Sequence, residues 1–197
     1  MNLIFLIPSQ TIRTDSKKSI KSVVGGQERI DVISRCFLNL SRWNIRSNAK
    51  FTFIFYLSHP KEQMKFSINL AKTEHEIENE LDSTRELIKI LSNKQNFEVE
   101  VEKTSFEVLL KTLAKRSMIY YLTPDGLSME DLEKQIKEKD SLCFVLGSQY
   151  DLTQEQEEVL LNLGAIPMSV GKQNYLASHV ITIVCHNLHT MHDILKQ

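Results

Sequence analysis

The sequence has few cysteines and no long apolar run, and both features limit the classes of protein to which it can belong. Its cysteines, Cys36, Cys143 and Cys185, are widely spaced and odd in number, so they provide neither a disulfide framework nor a CxxC metal knuckle. The apolar start stops at Pro8, far short of the roughly 20 residues that span a bilayer, and no basic region precedes it. We therefore expect a soluble cytoplasmic protein with no membrane partner.

The net charge is also small, at −1, but the charges are unevenly distributed. Residues 1–50 contain nine Lys or Arg and three acidic residues, whereas the remainder contains fifteen and twenty-two. A basic portion on a near-neutral protein can hold phosphates without covering the whole surface in positive charge. A solvated helix face has the same composition, so charge alone leaves both interpretations open.

Several catalytic signatures are missing. The chain has no GxGxxG or Walker phosphate loop and no GxSxG nucleophile elbow. His186, His189 and His192 recur every three residues, which spreads them over about 120° of a helix without an evident fourth ligand, so we expect no metal. Cys36 and Cys185 lack an identifiable basic partner, which gives nucleophilic catalysis little support.

The first hundred residues predict a mixture of strands and helices. A strand at the start is followed by a helix through Ile30, Ile33 and Phe37, which are spaced at three and four residues. The apolar run at 51–57 predicts a strand in the centre of a sheet, and residues 64–70 predict a more exposed one. A capping-box pattern at Ser83 predicts a helix start, and alternation from Phe97 predicts a strand with one wet face.

A regular alternation follows. We expect helices at 105–116, 129–138, 153–163 and 175–191, with strands at 118–122, 142–146 and 165–170. Strands that alternate with helices imply crossover connections and a largely parallel sheet. The predicted fold class is therefore α/β, in a single domain over residues 1–197.

Three turns follow successive predicted strands, at residues 122–126, 146–148 and 169–174. In open parallel sheets, ligands bind outside the carboxyl ends of the strands. Glycine in such a turn lets a ligand approach the backbone, and apolar neighbours can hold an adenine. The three turns could surround one adenosine-like molecule, but any α/β protein needs turns at these places, and Gly and Pro are their usual residues.

Longer segments carry a more specific resemblance. FVLGS at 144–148, LGAIPMSVG at 163–171 and YLASH at 175–179 resemble the carboxyl-terminal signature of the archaeal tRNA (pseudouridine-N1-)methyltransferases, a family of the SPOUT superfamily. RID at 29–31 and RC at 35–36 are similar to that family's Gly-Arg-Leu-Asp and Arg-Cys patterns. The resemblance covers most of the chain in order.

This resemblance implies a fold, a cofactor and an activity. The fold would be a SPOUT methyltransferase domain, with a mostly parallel sheet, helices on both faces and a C-terminal trefoil knot. The basic RNA-facing portion would lie at about 9–50 and the knotted cofactor-binding portion at about 118–197. A homodimer would use S-adenosylmethionine to methylate N1 of a pseudouridine in tRNA, at position 54 of the T-loop. The alternatives are the same fold acting on an rRNA pseudouridine or a ribose 2′-hydroxyl, and a non-catalytic RNA-binding dimer.

The resemblance also implies site residues. The cofactor-contacting positions are Leu122, Gly147, Ser169, Val170, Gly171, Lys172, Gln173, Asn174 and Val180. Two of them depart from the family pattern, because Lys172 stands where Pro is usual and Val180 where Cys is usual. Methylation of a pseudouridine N1 needs a group that removes its proton, and Asp31 is our catalytic candidate. Arg29 and Arg35 are the substrate-binding candidates, and Asp31 either orients them or accepts the proton.

Overall fold

The computed structural model describes residues 1–15, 18, 26–72, 77–94, 98–135 and 141–191. In these ranges the strands are β1 (Asn2–Ser9), β2 (Lys50–Leu57), β3 (Met64–Asn69), β4 (Val99–Lys103), β5 (Met118–Leu127), β6 (Ser141–Val145) and β7 (Ile166–Met168). The α-helices are α1 (Ile30–Arg46), α2 (Glu80–Leu91), α3 (Phe106–Ala114), α4 (Met129–Gln135), α5 (Gln154–Asn162) and α6 (Ala177–Met191). A short 3₁₀ turn, Leu70–Lys72, follows β3. The predicted α/β class is confirmed.

The described strands form one sheet in the order β4-β3-β2-β1-β6-β5-β7. The five strands from β2 to β7 in this order run parallel, and β3 and β4 extend the β2 edge in antiparallel pairing. β1 lies in the middle, where Phe5 is paired with Phe53 on one side and Phe144 on the other. β2 is an interior strand, as its apolar run predicts.

Helices cover both faces of the sheet. Phe5 and Ile7 of β1 belong to a core that includes buried side chains of α1, α2, α4 and α6. Ile4 and Leu6 point to the opposite face and pack with buried residues of α3 and α5. Successive side chains of a strand alternate between the two faces of the sheet. β1 is apolar at every position from Leu3 to Ile7, so both of its faces must be covered by helices.

The start of α2 differs from the prediction. The helix begins at Glu80, because the side chain of Asn79 accepts hydrogen bonds from the backbone amides of Leu81 and Asp82, both at 3.0 Å. Ser83, the predicted start, is fully buried inside the helix, where its hydroxyl donates to the backbone oxygen of Ser34 at 2.7 Å. The Ser83 pattern therefore serves the contact between α1 and α2 and does not cap a helix.

The two antiparallel strands also differ from expectation. β3 has β4 along its outer edge, and Phe66 and Ile68 are buried in the core that includes α1 and α2, so the strand is not the more exposed one. β4 is the edge strand and is largely exposed on both faces. The predicted strand start at Phe97 and the predicted helix end at 136–138 lie outside the described residues.

The end of β5 bends sharply around β7. Both Leu122 and Leu127 are paired with Met168, so the intervening residues turn away from the sheet and return to it. Gly126 lies directly on the Met168 backbone, and a Cβ at this position would be 2.4 Å from the Met168 nitrogen. Only glycine permits this approach. The bend brings the first turn residues to the carboxyl edge of the sheet, beside the ends of β6 and β7.

Candidate functional site

A cleft lies at the carboxyl ends of β5, β6 and β7, where the three predicted turns meet. It contains about 530 Å³ of space not filled by protein atoms, including its open mouth. Its lining residues are Leu122, Thr123, Pro124, Leu146, Gly147, Ser148, Asp151, Val170, Gly171, Gln173, Asn174, Tyr175, Ala177 and Val180.

Most of the predicted cofactor-contacting residues line this cleft. The two that do not are Ser169 and Lys172. The Ser169 hydroxyl accepts from the Gly171 amide and donates to the Gly171 carbonyl oxygen, both at 3.1 Å, so it shapes the turn. Lys172 is exposed. Among the lining residues outside our predicted set, Leu146 belongs to a predicted turn, Asp151 follows that turn by three residues, and Tyr175 and Ala177 fall in the YLASH segment.

The glycines of the cleft provide a test of whether a nucleoside fits. At Gly147, a Cβ would lie 2.6 Å from the Tyr150 carbonyl oxygen and 2.9 Å from the Asp151 Cα. Gly171 has a φ of +145°, which side-chain-bearing residues rarely adopt. Both turns therefore present bare backbone to the cleft, flanked by the apolar side chains of Leu122 and Leu146. Such a donor set fits an adenosine group.

The predicted Arg29, Asp31 and Arg35 form one hydrogen-bonded cluster at the start of α1. Arg29 contacts both carboxylate oxygens of Asp31, with Nε to Oδ1 at 2.9 Å and Nη2 to Oδ2 at 3.1 Å. The Nη2 of Arg35 donates to Oδ2 at 2.8 Å. The arginine side chains are 33% and 31% exposed, and that of Asp31 is 4% exposed. The cluster therefore presents two cations over a buried carboxylate.

The electrostatics of the cluster keep Asp31 ionised. Burial acts to raise the pKa of Asp31, but the hydrogen bonds and charges of Arg29 and Arg35 outweigh it and hold the pKa below its usual value. The hydrogen bond and charge of Asp31 raise the pKa of Arg29 in turn, with a small contribution from Tyr150. Arg29 also has a left-handed backbone, with φ 48° and ψ 44°. Such strained residues concentrate at functional sites.

Two features connect the cluster with the cleft. Tyr150 lies near enough to Arg29 to contribute to the rise in the pKa of Arg29, and it belongs to the Gly147–Asp151 turn that lines the cleft. Asn39, one turn beyond Arg35 on α1, donates to the Ser178 carbonyl oxygen at 2.8 Å. Ser178 lies in the first turn of α6, next to Ala177, which lines the cleft. The cations and the cleft therefore lie on neighbouring parts of one edge of the protein.

The other candidate groups do not assemble into sites. Burial raises the pKa of Cys36 and of Cys143 to about 12, and it raises that of Cys185 as well. Among the described residues, no three His, Cys, Asp or Glu side chains are placed to hold a metal. His192 lies outside them. No helix in the described part of the chain is long and apolar enough to cross a membrane.

Comparison with known proteins identifies the family. Residues 3–193 match the family of SAM-dependent RNA methyltransferases. The chain belongs to this family. Its relatives include proteins named tRNA (pseudouridine(54)-N(1))-methyltransferase from Thermococcus onnurineus, which is 26% identical over 91% of this chain and 93% of its own, and from Thermococcus gammatolerans, at 29% over the same shares. The predicted resemblance to the pseudouridine enzymes is confirmed.

Solved structures of methyltransferases share the fold. Archaeoglobus fulgidus Nep1 bound to S-adenosylhomocysteine superposes with a TM-score of 0.60 at 13% identity, covering 95% of this chain and 97% of that one. The ribosomal RNA small subunit methyltransferase E of Neisseria gonorrhoeae, bound to S-adenosyl methionine, has a TM-score of 0.50 at 12% identity and covers 65% of that chain. At these identities the likeness supports the fold alone.

Proposed function

We propose that the protein transfers the methyl group of S-adenosylmethionine to N1 of pseudouridine 54 in tRNA. The observation that carries the proposal is the cleft lined by glycine backbone and apolar side chains beside two arginines that share a buried carboxylate. A methyltransferase of RNA needs both parts, because it must hold a nucleoside cofactor and a phosphate-bearing substrate together. The names of the archaeal relatives support the choice of tRNA and of this pseudouridine.

Backbone and apolar groups of the cleft would hold the cofactor. Leu122 and Leu146 would pack against the adenine, and the Gly147 and Gly171 turns would bond its edge. Bound S-adenosylmethionine supplies a methyl group that can be displaced directly by a nucleophile. Of the two departures from the family pattern, Val180 lines the cleft and Lys172 does not, so Val180 is the one expected to alter packing around the cofactor.

The arginines would bind the RNA, and Asp31 would position them. Arg29 and Arg35 are about one-third exposed, so their guanidinium groups can contact phosphates or base edges. Asp31 lies beneath them and is engaged by both. Its lowered pKa makes it a weak proton acceptor, so we assign it the orienting role. The N1 proton would then leave to water at the mouth of the cleft.

We further propose a knotted, dimeric form of this single domain. The bend of β5 around Met168, followed by a helix that returns to the cleft, supports a trefoil knot in the C-terminal portion. Exposed apolar side chains at the edge of the cleft, Leu127, Tyr175 and Leu176, support pairing of two copies there. Light scattering of the purified protein tests the dimer, and a monomer mass would reject it.

Methyl transfer to a defined tRNA tests the proposed reaction. One transcript carries pseudouridine at position 54, and a matched transcript carries uridine there. With labelled S-adenosylmethionine, we expect methyl incorporation into the first transcript alone, and mass spectrometry of the digested RNA should give N1-methylpseudouridine. Methylation of both transcripts, of another nucleotide or of neither would reject the assignment.

The role of Asp31 has a separate test. Asp31→Asn should raise the KM for tRNA and leave the acidic limb of the pH–rate profile in place, because the arginines lose their orientation and no base is lost. Asp82→Asn, in the first turn of α2, is the control for the loss of a carboxylate and should behave as wild type. Disappearance of the acidic limb in Asp31→Asn, with an unchanged KM, would instead make Asp31 the base.

A further inference from the structure

A second groove lies on the same edge of the sheet, next to the cofactor cleft. It contains about 1140 Å³ of space outside protein atoms, including its open mouth. Its lining residues are Gln10, Tyr56, Ser58, His59, Pro60, Gln63, Phe106, Thr153, Glu155, Gln156 and Val159. The two spaces adjoin at the end of β1, where Nε2 of Gln10 lies 3.5 Å from the carbonyl oxygen of Asp151, a residue that lines the cleft.

The lining of this groove combines amide and imidazole side chains with aromatic rings. Gln10, Gln63 and His59 supply side-chain donors and acceptors, and no Lys or Arg is among its lining residues. The rings of Tyr56 and Phe106 are buried and pack against each other at 5.5 Å between centroids, so the polar side chains are the groups that a ligand can reach. Amide side chains read base edges through paired donor and acceptor bonds. This chemistry suits an unstacked nucleobase.

Cations stand at one end of the groove. A smaller depression shares Pro60 and Gln63 with it and is also lined by Lys61 and Lys103. Both lysines are exposed, and within the described part of the chain neither ammonium forms an ion pair. A polar groove that continues into a pair of lysines can hold both parts of a nucleotide, because phosphate contacts position the strand and base contacts read it.

We infer that this groove is a second RNA subsite, which holds an unstacked nucleotide of the substrate loop close to the target. The base enters between Gln10, His59 and Gln63, and Lys61 and Lys103 hold an adjoining phosphate. Glu155, at the rim, favours a base with an exocyclic amine, because a carboxylate accepts from such a group. The inference rests on the proposed function in that RNA is the substrate, but not on which atom is methylated.

The phosphate part is tested by RNA binding in the presence of S-adenosylhomocysteine. The probe is a T-arm hairpin with pseudouridine at position 54. The double variant Lys61→Gln/Lys103→Gln is compared with Lys94→Gln/Lys115→Gln, which removes two exposed lysines from other surfaces. We expect the first variant to raise the Kd roughly tenfold. The slope of log affinity against log salt should fall by roughly 0.7 for each lost contact to single-stranded RNA. Equal affinities of the two double variants would overturn the subsite.

The base part is tested by combining Gln63→Leu with an abasic scan of the hairpin loop. Gln63→Leu should weaken binding several-fold, and one abasic position should abolish that difference, because the base and the amide then no longer meet. Gln154→Leu, on the exposed start of α5, is the control and should have no effect. A Gln63→Leu effect that is absent, or that persists at every abasic position, would overturn base binding here.

Failure of the proposed reaction would look different from failure of the subsite. Cofactor affinity, measured by calorimetry without RNA, should be equal in wild type and in all these variants. If wild type binds the hairpin but transfers no methyl group, the reaction assignment fails, and a Lys61/Lys103 effect on binding still supports the subsite. If wild type methylates the hairpin and both double variants bind it alike, the reaction stands and the subsite is rejected.

Discussion

Gly147→Ala tests whether the turn after β6 holds the cofactor. The new methyl group would lie 2.6 Å from the Tyr150 carbonyl oxygen, whereas ordinary contacts begin at 3.4 Å. The atoms that it meets are backbone, which cannot move aside as the end of a flexible side chain can. Inserting a methyl group into a well-packed place costs about 1–3 kcal/mol. The turn must shift, and the shift displaces the wall of the cleft.

The expected result is a loss of cofactor affinity. If this free energy destabilises the conformation of the turn that binds the cofactor, the Kd for S-adenosylmethionine should rise roughly 10-fold to 100-fold. About 1.4 kcal/mol corresponds to a factor of ten in Kd. Isothermal titration calorimetry measures this Kd directly, without RNA. A melting curve on the same samples reports how much of the cost reaches the fold, at roughly 2–4 °C for each kcal/mol in a protein of this size.

Gly164→Ala is the matched control. A Cβ at Gly164 meets nothing within 4 Å, but the residue has a φ of +73°, so alanine there costs backbone strain of about 1–2 kcal/mol. Gly164 follows the end of α5 and does not line the cleft. We therefore expect Gly164→Ala to lower the melting temperature and to leave the Kd for S-adenosylmethionine unchanged. If Gly147→Ala binds S-adenosylmethionine within twofold of wild type, the turn does not contact the cofactor and the proposed binding mode is wrong.

Three further outcomes follow from local contacts. Asn79→Ala should lower the free energy of unfolding by about 1 kcal/mol in urea denaturation, because it removes the cap of α2; no loss would mean that the cap is made by another group. In native protein at pH 8, iodoacetamide should leave all three cysteines unmodified, because each is buried with a raised pKa; mass spectrometry that finds rapid alkylation would contradict their burial. Since the pKa of Asp31 is lower in the folded state, its stabilisation should be complete above its unfolded pKa of about 3.9 and disappear as the pH falls through the folded value. The stability difference between wild type and Asp31→Asn should therefore shrink on acidification, and a constant difference down to pH 2 would contradict the arginine pairing.

The parallel part of the fold was accessible from the sequence because its signals are local. Runs such as residues 51–57 are apolar at nearly every position, which a strand requires when helices cover both faces. The antiparallel edge was not accessible in this way. β3 is an interior strand because β4 pairs beside it, and Lys65 is tolerated there because its ammonium bonds Glu100 and Glu102 at 2.8 Å and 2.7 Å. Nothing in the 64–70 segment itself encodes that neighbour.

The candidate site divides in a similar manner. The cleft was predictable because each contributing turn directly follows a strand, and parallel strands end at one edge. The second groove was not, because Gln10, Gln63 and Glu155 come from three distant segments whose approach is set by the sheet order. The predicted start of α2 was wrong for another reason. Ser83 satisfies a capping pattern, but its hydroxyl is used by Ser34 of α1, and sequence spacing does not separate these two uses.

The central position of β1 has a consequence for synthesis of the chain. β1 is made long before β6, one of its two neighbours, whose last residue is Val145. Until that residue has left the ribosome, the backbone groups of β1 that will pair with β6 are unpaired, and the apolar side chains of Leu3, Phe5 and Ile7 stand beside them. Nascent chains that stall before Val145 should therefore be recognised by holdase chaperones and should aggregate when these are absent. β1 joins the two halves of the sheet, and it can do so only after β6 has been made.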